Sequence, residues 1–210
     1  TELDFHDGKC YISLVAFQFL NTKVFGIPAF PNRNFDEINL RFYVKRPLMD
    51  GKGQSGVVFI KEIVPSRLVA WTARTLYGEN YVAMNMNHEI TNDWASREIK
   101  LTYGCGSGEF YNRFSAVVPP ESQIGNDEQL GSYITEHYWG YSSPKRNRTV
   151  EYEVKHPRWP INRVTDYSID FDFKDLYGPQ YGLLSETEPA SVLYCEGSGV
   201  TVHVGSTISQ

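Results

Sequence analysis

From Glu37 to Lys45 apolar and polar side chains alternate: Ile38, Leu40, Phe42 and Val44 share one face, and Glu37, Asn39, Arg41 and Tyr43 share the other. A period of two is that of a β-strand, whose successive side chains point to opposite sides. Cys10 to Leu20 and Gly56 to Val64 are longer and more continuously apolar, the pattern of strands covered on both faces. Shorter runs of strand type cover 82–90, 97–104, 109–118, 149–156, 190–196 and 199–204. Gly197-Ser198-Gly199, between the last two, predicts a hairpin turn.

Helical spacing is rarer. Ser66, after Pro65, is a predicted N-cap. Leu68, Val69, Thr72, Ala73 and Leu76 then follow one helical stripe until Gly78 stops it. A second helix is predicted over 128–139, with Leu130, Tyr133, Ile134, His137 and Tyr138 on its apolar side, and a short third one over Phe171 to Tyr177. No internal repeat, low-complexity tract or linker divides the chain, so residues 1–210 read as a single domain. Many strands with two or three helices predict an α+β, mostly β architecture, a curled sheet or barrel crossed by helices.

Composition narrows the function classes. Aromatic residues make up 14% of the chain, mainly Tyr and Phe, which excludes a disordered segment. No apolar run reaches the roughly eighteen residues of a membrane span, and the start at Thr1 carries no export signal, so the expected location is the cytoplasm. The net charge of -5 is spread along the chain without a basic stripe, which argues against nucleic acid. Lys145-Arg146-Asn147-Arg148 reads as a solvated turn, and the glycosylation-type triplet Asn147-Arg148-Thr149 as accidental. Cys10, Cys105 and Cys195 form neither a disulfide framework nor a zinc spacing. The histidines at 6, 88, 137, 156 and 203 have no metal-binding spacing. No dinucleotide fingerprint exists, and Gly104-Cys-Gly-Ser-Gly108 is neither a nucleophile elbow nor a phosphate loop; a hairpin turn accounts for its glycines. No cofactor is expected.

Candidate chemistry concentrates in four places. Alternation puts Glu37, Asn39, Arg41 and Tyr43 on one side of one strand, where Arg41 could hold a small carboxylate bidentately; the alternative is a solvent face or a self-satisfied network. Arg74 and Tyr77 lie about one turn apart at the end of the first helix and can face one ligand, although a cation there also complements the helix dipole. Glu136, His137, Tyr138 and Trp139 pair a carboxylate with an imidazole. On a helix, neighbours point about 100° apart, which argues against joint action on one substrate, and His137, on the apolar stripe with Tyr133 and Ile134, reads as a hydrogen-bonded core residue. His156-Pro157-Arg158-Trp159-Pro160 is a rigid corner whose His156 and Trp159 could border a cavity. Lys61 stands beside Glu62 with no neighbouring cation in sequence to depress its pKa.

Five blocks in order carry a family resemblance: Glu37-Ile-Asn-Leu-Arg-Phe-Tyr-Val44, Gly56-Val-Val-Phe-Ile-Lys-Glu-Ile-Val-Pro65, Ala73-Arg-Thr-Leu-Tyr77, Thr135-Glu-His-Tyr-Trp-Gly-Tyr141 and His156-Pro-Arg-Trp159. From about Leu3 to Val204 the chain resembles the YqjF-like bacterial family of unknown function. That family looks like a branch of the acetoacetate-decarboxylase-like superfamily. The resemblance implies an antiparallel β-barrel or cone with an internal cavity, and a usual N-terminal segment that this sequence lacks. It also places the end of the first helix where the decarboxylase keeps its site. That enzyme forms a Schiff base on one lysine of a pair, its pKa lowered by the adjacent cation. At the corresponding place this chain reads Tyr77-Gly78-Glu79-Asn80-Tyr81, and it contains no Lys-Lys pair, so the Schiff-base mechanism does not carry over.

Three readings follow. The first is a small-molecule-binding barrel for an organic acid or an aromatic metabolite, lined by residues such as Glu37, Arg41, Arg74 and Tyr77. The second is a lyase or isomerase using the same cavity without Schiff-base chemistry. The third is a structural or partner-binding domain whose interior its own side chains fill. A homo-oligomer is compatible with each.

Overall fold

The computed structural model describes residues 1–29, 31–49, 51–93, 95–108, 110–120, 123–124, 129–145 and 148–208. Arg146 and Asn147, half of the predicted solvated turn and the first residue of the glycosylation-type triplet, lie outside the described residues. In chain order the first strands are β1 (Glu2–Leu3), β2 (Ile12–Phe19), β3 (Lys23–Val24), β4 (Ile27–Pro28), β5 (Phe35–Pro47) and β6 (Gly53–Val64). Helix α1 (Arg67–Tyr77) leads to β7 (Tyr81–Ala83), β8 (Met86–Asn92), β9 (Ile99–Ser107), β10 (Phe110–Val118) and β11 (Gln123–Ile124). Helix α2 (Gln129–Thr135) precedes β12 (Trp139–Lys145), β13 (Arg148–Lys155), β14 (Ile161–Arg163) and β15 (Asp166–Asp170). Helix α3 (Phe173–Tyr177) and a 3-10 helix (Pro179–Glu186) come before β16 (Leu193–Tyr194), β17 (Thr201–Val202) and β18 (Ser206–Ile208).

The chain forms two compact units, one of Thr1–Ala83, Glu136–Pro157 and Ser198–Gln210, the other of Met84–Thr135 and Arg158–Gly197. In the first, a nine-stranded sheet follows the path β1-β5-β6-β12-β13-β17, with β2 on β5, β7 on β6 and β18 on β13. The ends of this path do not pair among the described residues, so the sheet is open and the predicted closed barrel is not formed. Nor is it purely antiparallel: β7 and β12 both run parallel to β6. The cause is local. An eleven-residue helix between β6 and β7 carries the chain back along the sheet, and such a crossover returns a parallel strand where a tight turn would return an antiparallel one.

Both faces of β5 are covered. Ile38, Leu40 and Val44 are buried on one, and Glu37, Asn39 and Tyr43 on the other. Ser66 caps α1 by accepting from the Val69 amide, and Gly78 closes it at φ 67°, donating its amide to the Arg74 carbonyl. The buried stripe differs from the predicted one at one position: Leu68 is exposed and Ala70 buried, so the stripe lies one residue further round the helix.

In the second unit, β15-β10-β9-β8 make a four-stranded antiparallel sheet, and β11-β14-β16 a small three-stranded one. Its core is aromatic. Phe114 lies 5.8 Å from Phe171, Phe171 5.8 Å from Phe173, and Phe173 6.0 Å from Tyr177, ring centre to ring centre. Asp172 caps α3 through the Asp175 amide, which starts the predicted third helix two residues late.

Four further expectations are corrected. The predicted run 82–90 breaks into β7 and β8, which belong to different sheets. The predicted helix 128–139 ends at Thr135; residue 128 lies outside the described residues, and Trp139 already opens β12, where Gly140 pairs with both Val57 and Tyr152. Sheet pairing thus overrides the helical spacing of His137 and Tyr138. Gly197-Ser198-Gly199 closes no hairpin, because β16 pairs with β14 and β17 with β13. Gly108 falls at the turn from β9 to β10 as expected, at φ 59°, whereas Gly104 and Gly106 lie inside β9. A side chain at Gly104 would collide with the ring of Tyr111, whose hydroxyl donates to Asn87 Oδ1.

Candidate functional site: a buried cluster of carboxyls and phenols

β5, β6, β7 and β13 bring chemistry together on one face of the sheet in the first unit. Asn39 on β5 pairs in register with Glu62 on β6, and Glu62 pairs with Tyr81 on β7. Glu37 is two residues from Asn39 and so shares its face. Its Oε1 accepts from Asn39 Nδ2 at 2.9 Å, and its Oε2 accepts from the Tyr81 hydroxyl at 2.9 Å. Immediately after the helix cap, Glu79 turns inward and accepts from the Tyr152 hydroxyl at 2.7 Å. The segment carrying it is tied to β6: Asn80 Nδ2 donates to the Ile60 carbonyl, and the Glu62 amide to the Asn80 carbonyl. That anchoring falls at the register shift between Leu40 and Arg41, where β6 carries one extra residue.

Three carboxyls are therefore buried together, Glu37 at 1%, Glu62 at 2% and Glu79 at 5% exposure. Burial is the main reason each holds its proton more tightly than a carboxyl in water. It pushes Glu37 up to about 7, against the opposing pull of the Asn39 and Tyr81 hydrogen bonds and of the Arg41 charge. Glu79 is raised to about 8 by burial and by the charge of Glu37, although the Tyr152 hydrogen bond works the other way. Glu62 is raised well above the usual range by burial and then by the charges of Glu37 and Glu79, against the opposing pull of a hydrogen bond from Tyr81. Tyr81 and Tyr152 are likewise raised, first by burial and then by the neighbouring carboxylates, so both remain phenols that donate. Two acceptors stay unmet: Asn39 Oδ1 and Glu62 Oε2 are buried and have no hydrogen-bond partner among the described residues. A buried acceptor without a donor costs about 1–3 kcal/mol, which makes the spot a candidate site.

The residues singled out in the sequence distribute around this cluster. Glu37 and Asn39 are in it, and Arg41 bears on Glu37 by charge while its guanidinium lies 5.8 Å from the Tyr43 ring centre. Tyr43 looks elsewhere: its hydroxyl shares a hydrogen bond with Ser13 at 2.7 Å, and its ring lies 4.7 Å from the His137 ring. His137, buried, has its Nε2 4.0 Å from Asp4 Oδ2, and Asp4 also accepts from Ser55. Arg74 Nε donates to the Tyr81 carbonyl at 2.6 Å, holding the backbone of β7. The Tyr77 ring packs 5.3 Å from that of Tyr152, and its carbonyl accepts from Ser142. Glu136 accepts from Tyr138 at 2.6 Å. His156 lies 4.8 Å from the Tyr138 ring with its Nδ1 2.8 Å from the Pro157 carbonyl, whereas Trp159 is half-buried in the other unit. Lys61 is on the face opposite Glu62, in register with Leu40.

Glu62, Glu79, Tyr81 and Tyr152 escaped the sequence reading. Glu62 did carry a signal: a carboxylate inside a continuously apolar strand has nowhere to go but the interior. Glu79 and Tyr81 stand in the very segment where the resemblance placed a lysine pair. Tyr152, between Glu151 and Glu153, had no signal of its own.

An apolar groove of about 300 Å³ opens on the opposite face of the sheet, lined by residues including Leu3, Phe42, Val44, Val58 and Tyr141. No helix among the described residues is long and apolar enough to cross a membrane, and none of their His, Cys, Asp and Glu side chains form a group of three or more that could hold a metal ion.

Comparison with known proteins adds a family without an assigned activity. The profile of the family described as an uncharacterized conserved protein (DUF2071, COG2071) matches residues 1–199. The uncharacterized protein YqjF of Bacillus subtilis (strain 168) is 27% identical over 175 residues, 79% of this chain and 69% of YqjF. No solved structure matches the chain.

Proposed function

The chain belongs to the DUF2071 family of uncharacterized conserved proteins, and from that premise we propose that it binds a small polar molecule at the Glu37–Glu62–Glu79 cluster. The observation that carries this reading is the pair of buried oxygens without a hydrogen-bond partner, Asn39 Oδ1 and Glu62 Oε2, in a cluster that already concentrates three carboxyls. A ligand that brings donors supplies the hydrogen bonds these two oxygens lack once Glu62 is ionised. Tyr81 and Tyr152 supply directional donors for the ligand's own acceptors or for the carboxyls that hold it. On the decarboxylase-like reading of the fold, Glu79 and Tyr81 stand where that superfamily keeps its amine, so binding would use carboxyls in place of a Schiff base.

A thermal-shift screen of small polar metabolites tests it. The expected result is a saturable rise in Tm for one chemical class, lost in Glu62→Gln and Asn39→Leu variants that still unfold cooperatively. Shifts unchanged in both variants would move the site elsewhere.

Carboxyls at about 7 and about 8 also favour a second reading, an enzyme in which Glu37 or Glu79 exchanges a proton with the bound molecule near neutral pH.

A further inference from the structure

We infer that the molecule taken by the cluster is a small organic cation, a primary ammonium or amidinium, seated against Glu62, Asn39, Glu37 and Glu79. This rests on the proposed binding role and specifies its ligand. Asn39 Oδ1 is an acceptor in every state, and Glu62 Oε2 is one once its carboxyl is ionised, so the partner that both lack in the ionised site is a donor. Asn39 is 1% exposed and carries no charge, so its orphaned oxygen points to a ligand independently of the acids around it. The charge balance points the same way. Once ionised, three carboxyls crowd the site against the charge of Arg41, which bears on Glu37. An added carboxylate would deepen that imbalance, whereas an added ammonium relieves it. A metal ion would need a set of ligands converging on one point, and no such set exists among the described residues. An ammonium, with three N–H donors, matches separated acceptors instead.

The ionisable groups facing the site are Glu37 and Arg41 from β5, Glu62 from β6, Glu79 from the turn after α1, Tyr81 from β7 and Tyr152 from β13, with Tyr77 of α1 packed behind Tyr152. Arg74 of α1 engages the Tyr81 carbonyl. β2 contributes Ser13, Val15 and Phe17 as partners of Arg41, Asn39 and Glu37, none of them ionisable near neutrality. Without ligand the carboxyls keep protons. A bound cation replaces that positive charge, so protons leave as it binds and affinity rises with pH.

Isothermal titration of the protein with butylammonium and benzylammonium, and with butyrate and phenylacetate as matched anions, separates the cases. Ammonium affinity is expected to increase about tenfold from pH 6 to pH 8 for one proton released by a group at about 7. The enthalpy should depend on the buffer's own ionisation heat, and Glu62→Gln should weaken binding at least about tenfold, the loss of one charge-assisted hydrogen bond. Asn39→Leu serves as the second variant if Glu62→Gln fails to fold. Carboxylate binding that tightens as pH falls would overturn the cation and leave the binding site standing. Ammonium binding indifferent to both variants would overturn it too. If neither series gives saturable heat up to about 10 mM the cation falls, and if the metabolite screen also gives no shift that depends on Glu62 or Asn39 the binding role falls with it.

Discussion

Glu151 on β13 and Glu62 on β6 lie in the same nine-stranded sheet, and both are more than nine-tenths buried. Their surroundings differ. Glu151 Oε2 accepts from Arg46 at 2.7 Å and from Gln54 Nε2 at 2.8 Å, and Gln54 also donates to the Tyr141 hydroxyl. Glu62 has two other acids for company and an oxygen with no donor. Each cluster also sets a tyrosine over a glycine: a side chain at Gly56 would meet Tyr141, and one at Gly140 would meet Tyr152. The sheet therefore has a way to neutralise a buried carboxylate, a cation and an amide reaching across neighbouring strands, and uses it at Glu151. Its absence at Glu62 is a property of that place and not of the fold at large, which is why the second cluster reads as a site and the first as a brace.

The largest expected difference between them is in pH dependence. Glu37 rises from the ordinary 4.5 to about 7 on folding, and Glu79 from 4.5 to about 8. Between those values the folded state holds protons that the unfolded state has released, so stability falls as pH rises. The contribution is complete below about 4.5 and is lost through pH 7 and 8. At about 1.4 kcal/mol per pH unit, Glu37 alone accounts for a loss on the order of 3 kcal/mol. Urea denaturation at pH 5, 7 and 8.5 should show the midpoint falling throughout. A midpoint that stays level or rises would erase the distinction, because it would mean these acids are paired as Glu151 is.

How much of this was legible in the sequence follows from what kind of signal each part sends. The alternation at 37–45 and the Ser66–Gly78 helix are local, and β5 and α1 carry them with little change. Glu37 and Asn39 were found because alternation assigns a face from neighbours alone. What covers that face depends on β6, β7 and β13, and pairing between segments far apart in the chain leaves no mark on any one of them. Two opposite errors show the limit. His137 and Tyr138 fit a helical stripe, but the start of β12 at Trp139 draws the chain into the sheet. The parallel return of β7 was missed because a strand of three residues is too short to declare its direction. Family membership extends over residues 1–199 without adding a chemistry, so the cluster stands on geometry.

A smaller effect, but one of opposite sign at the two places, comes from removing each charge without changing shape. Glu151→Gln weakens the hydrogen bonds to Arg46 and Gln54 and should destabilise by about 1–2 kcal/mol at pH 8. Glu62→Gln removes an acid that its neighbours repel, and should stabilise by about 1 kcal/mol at the same pH. Equal losses in the two variants, measured by urea denaturation, would mean that Glu62 has a partner as good as Arg46.

The finest test compares the two phenols, since Tyr141 and Tyr152 have the same packing over glycine and different hydrogen-bond roles. Tyr141 accepts from Gln54 and its hydroxyl also hydrogen-bonds Glu151, a carboxyl that Arg46 and Gln54 hold as well. The expected cost of Tyr141→Phe is about 1–2 kcal/mol, and it should be the same at pH 6 and pH 8.5. Tyr152 donates to Glu79, which gains charge as pH rises through about 8. Hydrogen bonds to an ionised acceptor are roughly twice as strong as those between neutral groups. Tyr152→Phe should therefore cost about 0.5 kcal/mol at pH 6 and about twice that at pH 8.5. Thermal or urea denaturation of both variants at the two pH values reads the difference directly. If the Tyr152→Phe cost does not grow with pH, Glu79 is already ionised at pH 6, and the cluster is charged where burial says it should be neutral.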